Sequence, residues 1–340
     1  MPAVTRPRHE GHAIPHPRLA RHHGRPGPDR PAGPRLLELT LSESRGEEAD
    51  EVNIRLHDHD GRLALPCRGV ALQMAIDWRS GGLFDKGSFL VNDVEHSGPP
   101  DIITIRARSA DLTGAIRGRH ERSWHDTTQG EVLGTIAGEH SLRPAIAAEL
   151  AGMAIAHLDQ ANESDINRLT RLRKRFDAVA TVKAGTLIFA PIGAGQTASG
   201  QPLPGVSITR ADGGQHRNTL VDRESYTGVR AYWGDRNTVR RTGVLVGKAD
   251  NEKKLQATYA NANEARQQAE AEFKRLQRSS AQLSYQLALG RADIYPEQTV
   301  QVSGFKPDID GSWLVAKVTH AINGSSGFTT APELESTGGQ

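Results

Sequence analysis

Cysteine is nearly absent. One residue, Cys67, occurs in 340, so an internal disulfide framework is excluded. Aromatic residues make up 5% of the chain while glycine reaches 35 residues, a balance that suits many turns and strands better than a large aromatic-lined enzyme pocket. Charge of one sign is missing too. The 42 basic and 40 acidic side chains leave a net charge of +2, so no whole-molecule field exists to hold a polyanion. No run of 18 apolar residues and no signal-type hydrophobic segment occurs, and neither membrane insertion nor export is expected. Assembly in a reducing cytoplasm is the expectation.

What is present begins at the N-terminus, where residues 1 to 34 hold eight prolines, six arginines and five histidines. Almost no periodic apolar position supports an element there, so a disordered tail is expected. From Arg35 the texture changes to period-2 alternation. Leu37, Leu39 and Leu41 share one side, and Val52, Ile54 and Leu56 share one side of the next run, which predicts paired strands. Further strands are expected up to residue 114, separated by Gly81-Gly82 and by Gly98-Pro99-Pro100, and the region reads as a small antiparallel barrel. The segment HDHDG at 57 to 61 imitates a metal motif, but Asp60-Gly61 is ordinary hairpin chemistry.

Residues 115 to 200 read as an α/β domain. Val132, Leu133, Ile136 and Ala137 predict an amphipathic helix entered through Asp126 or Thr127, and Ser164 predicts a cap for a second whose Ile166, Leu169, Leu172 and Phe176 face inward. A hairpin over AVATVK and TLIFAP follows. His125, Asp126, Glu163, Asp165 and Arg168 invite an acid–base reading, yet each has a structural place at a cap or on a helix face. The segment GAGQTASGQPLPG continues into prolines rather than a helix, so it lacks a phosphate cradle and reads as a linker.

Residues 201 to 335 read as a second antiparallel barrel, interrupted by the longest predicted helix, 251 to 278. Leu255, Tyr259, Ala262, Ala265, Ala269, Phe273 and Leu276 step by three and four along one narrow, alanine-rich face. Small residues allow close approach, so Tyr259, Ala262, Ala265, Ala269, Phe273 and Leu276 are the candidate contacts to a barrel or to a neighbouring chain. The stretch VSGFKPDIDGSWLVAKVTHAIN gathers Asp308, Asp310, Ser312 and His320. Strict alternation puts His320 in one row with Leu314, Ala316, Val318 and Ile322, with Trp313, Val315 and Lys317 opposite. The two aspartates belong to a turn at the far end of the strand. No catalytic, cofactor or metal residue is assigned.

Several separate segments, among them ALPCRGV, GSFLVNDVEHSGPPDIITIRARSADL, SWHDTTQGEVL and YPEQTVQVSGFKPDIDGSWLVAKVTHAINGSSGFTT, together resemble in order the late control gene D family of phage tail proteins over about residues 35 to 335. That family is similar to the baseplate hubs of contractile tails and to the N-terminal part of type VI secretion spike proteins. The resemblance implies a homotrimer whose two similar barrels per chain form a pseudo-sixfold ring, adapting a hexameric tail tube to a trimeric central spike. It also implies residence in the virion, in the tail baseplate, after assembly in the host cytoplasm. It carries no catalytic residues. The overall expectation is a mainly β, α+β structural protein with spike, tube and baseplate partners and no specific nucleic-acid binding. A cell-wall hydrolase and a DNA-binding late-gene regulator are the competing readings. The first needs a carboxylate pair or a metal triad in a cleft, and the second a basic reading face.

Overall fold

The computed structural model describes residues 18–21, 35–46, 49–76, 83–109, 114–183, 185–220, 226–235 and 240–337. Most of the expected tail lies outside these residues. Arg18–Arg21 (β1) is an exception and corrects the expectation of disorder, because its backbone pairs antiparallel with the strand Ala71–Ile76.

The first β region follows from the alternation read above. In Leu36–Ser44 (β2) and Glu51–His57 (β3), Leu39, Leu41, Val52 and Ile54 are buried while their neighbours are more exposed. Ala71–Ile76 (β4), Phe84–Ser97 (β5) and Ile102–Ser109 (β6) complete it in the order β1-β4-β5-β6-β3-β2.

The α/β part opens with Arg119–Thr128 (β7), a strand that runs into Gln129–Glu139 (α1). The cap is Thr128, not Asp126 or Thr127. Its side chain accepts from Glu131 N while Glu131 reaches back to the Thr128 N–H, a reciprocal capping box that fixes the start of the helix. Val132, Leu133, Ile136 and Ala137 are fully buried, as their spacing predicts. Arg143–Ile146 (β8), Ala148–Ala151 (α2) and Ala154–Ser164 (β9) follow. Then come Asp165–Phe176 (α3), capped by Ser164, and the hairpin Ala178–Lys183 (β10) with Thr186–Pro191 (β11).

The C-terminal part holds Val206–Thr209 (β12), Gly213–Leu220 (β13), Gly228–Asp235 (β14), Arg240–Gly247 (β15) and Glu252–Tyr259 (β16). Ala262–Arg278 (α4), Ala281–Leu287 (β17), Thr299–Ser303 (β18), Gly311–Asn323 (β19) and Gly327–Ser336 (β20) complete it. Two expectations are corrected here. The helix does not begin at 251, because Glu252–Tyr259 is a strand paired parallel with β14. Asn261 then caps the helix by accepting from Glu264 N at 2.9 Å. The insertion is accordingly a helix lying on its own three-stranded sheet, β15-β14-β16, rather than a lone helix.

The second correction concerns the faces of β19. A bulge between Val315 and Lys317 shifts the register against β20, so alternation breaks there and Trp313, Val315 and Val318 all enter the same core. The bulge also marks a change of neighbour. Before it, Gly311 to Leu314 pair with β18; after it, Lys317 to Asn323 pair with β2. The two β regions are therefore one continuous sheet, ordered β1-β4-β5-β6-β3-β2-β19-β20-β17-β13, with β18 and β12 branching from β19. No helix among the described residues is long and apolar enough to cross a membrane.

Candidate functional site

The parts of the chain meet through two clusters of buried polar side chains. The first is the seam between β2 and β19. Lys86 from β5 donates to Glu43 of β2 at 2.6 Å, and both side chains are almost wholly buried. His320 of β19, fully buried, stands 3.3 Å from the same Glu43 oxygen. Thr330 accepts from Arg291 N at 2.9 Å and lies 2.9 Å from His320 Nδ1. Its hydroxyl can donate to Nδ1, and Nε2 then faces both Glu43 and the Lys86 ammonium, 3.3 Å from each. Burial alone would push the Glu43 carboxyl up. The His320 hydrogen bond and the Lys86 and Lys183 charges outweigh it and hold the group at about 2. His320 moves the other way from the usual case: burial lowers its pKa, aided by Lys86 and opposed by Glu43. His320, which the sequence gathers with Asp308, Asp310 and Ser312, is a buried member of a packed seam.

Asp310 is occupied elsewhere, accepting from Gly304 N and Phe305 N at 3.1 and 2.8 Å, and Asp308 is exposed. The structure does not bring these aspartates to His320.

The second meeting place joins α3, α4, β20 and the turn after β2. Asp177, in the left-handed cap position of α3, receives Arg278 of α4 through both carboxylate oxygens, at 2.6 Å for one of them. Arg278 Nε also approaches Glu335 at 3.2 Å, and Arg45 pairs with Glu335 and, at 3.1 Å, with Glu297. Burial raises the Glu297 carboxyl, with Arg45 opposing it. Around this knot lies a cleft of about 400 Å³ whose walls include Arg45, Arg173, Lys174, Arg275, Arg278 and Lys317. Its two carboxylates, Asp177 and Glu335, are already paired with arginines. Among the cations of the wall, Arg275 pairs in turn with Glu272.

The six candidate contact residues divide. Ala265 and Ala269 are fully buried against Val229 and Ala231 of their own chain, with Tyr259, Phe273 and Leu276 partly buried around them. Tyr259 belongs to β16 and not to the helix, and Ala262 is exposed. Sequence periodicity found the packed stripe, but its partner is the chain's own sheet. The outer side of α4 is polar and docks on the end of α3. Arg275 donates to Lys174 O at 2.9 Å, Gln268 to Arg175 O at 3.3 Å, and Arg175 pairs with Glu264 at 2.7 Å. These contacts satisfy carbonyls that the last turn of α3 leaves open.

One group of potential metal ligands went unread in the sequence. His120, Glu139 and Asp165 bring ligand atoms within 4.8 Å of one another. The guanidinium of Arg122 already bridges Glu139 and Asp165, and His140 lies 2.8 Å from Asp165, with Gln160 donating to it at the same distance. A fixed cation therefore holds the place an ion would take. Burial raises the Asp165 carboxyl, and the Gln160, His140, Arg122 and His120 contacts reverse that and lower it.

Residues 55–326 match the family described as phage tail baseplate hub (GPD). The chain is 42% identical over 343 residues to the probable baseplate hub protein of Escherichia phage 186, covering 88% of each. Among solved structures, the 43 kDa tail protein of prophage MuSo2 from Shewanella oneidensis superposes with a TM-score of 0.71 at 14% identity, covering 95% of this chain and 99% of that one. An E. coli component of the type VI secretion system, itself structurally similar to T4 bacteriophage tail proteins, shares the fold with a TM-score of 0.53 at 15% identity. That match covers 88% of this chain and 73% of the other.

Proposed function

Because the chain belongs to the phage tail baseplate hub family, and is by that kinship a structural component of the virion rather than an enzyme, we propose how it acts as a hub: three copies form a ring in which each contributes two β modules. The ring adapts a hexameric tail tube above to a trimeric spike below. The observation that carries this reading is the pairing of β2 with β19, which fuses the two β regions into one sheet. Two modules fixed edge to edge in each of three chains give six equivalent places around the ring, whereas modules on a hinge would not.

A second feature supports closure of the C-terminal module. β12 and β13 lie at opposite ends of the strip β12-β18-β19-β20-β17-β13, yet only the short turn Arg210–Asp212 joins them. The strip therefore curls until its ends approach, as a small barrel requires. Tyr285 of β17 donates to Thr209 O and Arg210 O at 3.1 and 2.9 Å, tying that corner inward. In this reading the cationic cleft between α3 and α4 receives an acidic side chain from a tail partner. Assembly takes place in the host cytoplasm before the tail is complete.

The test is the mass of the purified chain in solution, alone and with the spike of the same tail, alongside complementation of tails lacking the hub. Three chains per particle, captured by the spike, is the expected result. A chain that stays monomeric at all concentrations with the spike present, while still restoring tails, would overturn the ring.

A further inference from the structure

The ribbon formed by β7 and β9 is two-sided. Trp124 and Leu158 sit opposite each other and pack toward the α/β core. The alternate positions point outward: Ser123 is opposite Asp159, and His125 is opposite His157. These four residues form a connected row. Ser123 Oγ donates to Asp159 Oδ1 at 2.5 Å, and Asp159 Oδ2 lies 2.8 Å from His157 Nε2. His157 Nδ1 in turn stands 3.0 Å from His125 Nδ1. The ring centroids are 4.6 Å apart, farther than the nitrogens, so the two Nδ1 atoms lean toward each other. The ribbon is held firmly at this point, because Arg168 and Arg171 of α3 both donate to the backbone carbonyl of Asp159.

We propose that His125 and His157 form a two-imidazole site for a divalent transition metal, with Asp159 as its supporting carboxylate. Two imidazole nitrogens, each about 2.0–2.1 Å from one ion, lie about 2.9 Å apart at right-angle coordination and about 3.3 Å apart in a tetrahedron. The separation here falls between those values. The supporting shell is in place as well. Asp159 accepts the proton of His157 Nε2, which leaves Nδ1 as a lone pair directed at the ion, the arrangement that raises ligand basicity in metal-binding histidines. His125 needs only its tautomer with the proton on Nε2. Water fills the remaining positions because the face is exposed. Imidazole donors select zinc, nickel or copper over magnesium and calcium, which prefer oxygen.

Nickel and zinc, each as the free ion, serve as probes for the full chain by calorimetry and thermal melting. Five histidines also lie among residues 1 to 34, so comparisons are made between variants that all retain them. In the parent, either ion should raise the melting temperature, since a ligand bound to the native state stabilises it. His125→Gln and His157→Gln should each abolish that rise while melting normally without metal, because both side chains are exposed. Asp159→Asn should weaken binding about 10-fold or more. A parent that melts at the same temperature with and without both ions would overturn the site. So would an undiminished rise, and an unchanged calorimetric stoichiometry, in the His125→Gln/His157→Gln double variant.

Discussion

Lys86, Glu43 and His320 meet inside the seam although 234 positions separate Lys86 from His320. A buried ion pair is costly to break from one side, because the partner left behind is an uncompensated charge. Lys86→Met should therefore lower stability by about 3–5 kcal/mol, measured by urea or thermal unfolding. The same cluster sets a pH dependence. Glu43 is held near 2 when folded against 4.5 when free, so its contribution is complete above pH 4.5 and is lost as pH falls toward 2. His320 is depressed from 6.5, and its unfolded form binds the proton first, so stability also falls as pH drops below 6.5. Both act in the same direction. Melting temperature should decline from pH 7.5 toward pH 5, and His320→Asn, which has no proton to gain, should flatten that limb of the profile. An unchanged slope in the variant would assign the acid sensitivity elsewhere.

At the scale of elements, the helix–sheet unit shows how a helical spacing can run on past the real boundary of the helix. Leu255 and Tyr259 are four apart, which suits a helix face, but the helix starts only after Asn261 supplies a side-chain cap. Upstream, Glu252–Tyr259 finds a pairing partner in β14 that no local rule reveals. The alanines remain informative. Ala265→Glu would place a carboxylate against Val229 and Ala231, at a cost on the order of several kcal/mol unless the helix lifts off its sheet. Ala262→Glu, exposed and in the first turn of the helix, should be neutral or slightly favourable. Unfolding curves and helix content by circular dichroism separate the two. Equal stability for both variants would mean that α4 does not hold to its sheet through this face.

For the whole molecule, Arg278 matters because it ties the end of α4 both to the α/β part through Asp177 and to β20 through Glu335. Arg278→Met should cost about 3–5 kcal/mol by leaving Asp177 buried without its cation. It should also loosen the relative placement of the parts before it unfolds any of them. Limited proteolysis is the measurement: new cleavage in the connecting segments around residues 193 to 205 is expected, with the β cores intact. If the variant were cut no faster than the parent, the parts would be held by the β seam alone.

Much of this protein was legible in its residues. Period-2 burial in Ala281–Leu287 follows directly from alternating apolar side chains, and α1 and α3 follow from stripes closed by hydroxyl caps. Those signals are local, requiring only neighbours a few positions away, and so a sequence can state them. Family membership was legible too, because whole motifs occur in order. Tertiary structure alone decided the rest. The bulge at Ala316, which hands β19 from β18 to β2, turns on one extra residue opposite β20. The strand at Arg18–Arg21 exists through its pairing with β4. The outward row of Ser123, His125, His157 and Asp159 requires two strands in one register, with His125 set against His157. Each depends on which distant backbone supplies the hydrogen bonds. A run of residues fixes its own periodicity, whereas its partner is chosen by the free energy of the folded chain as a whole.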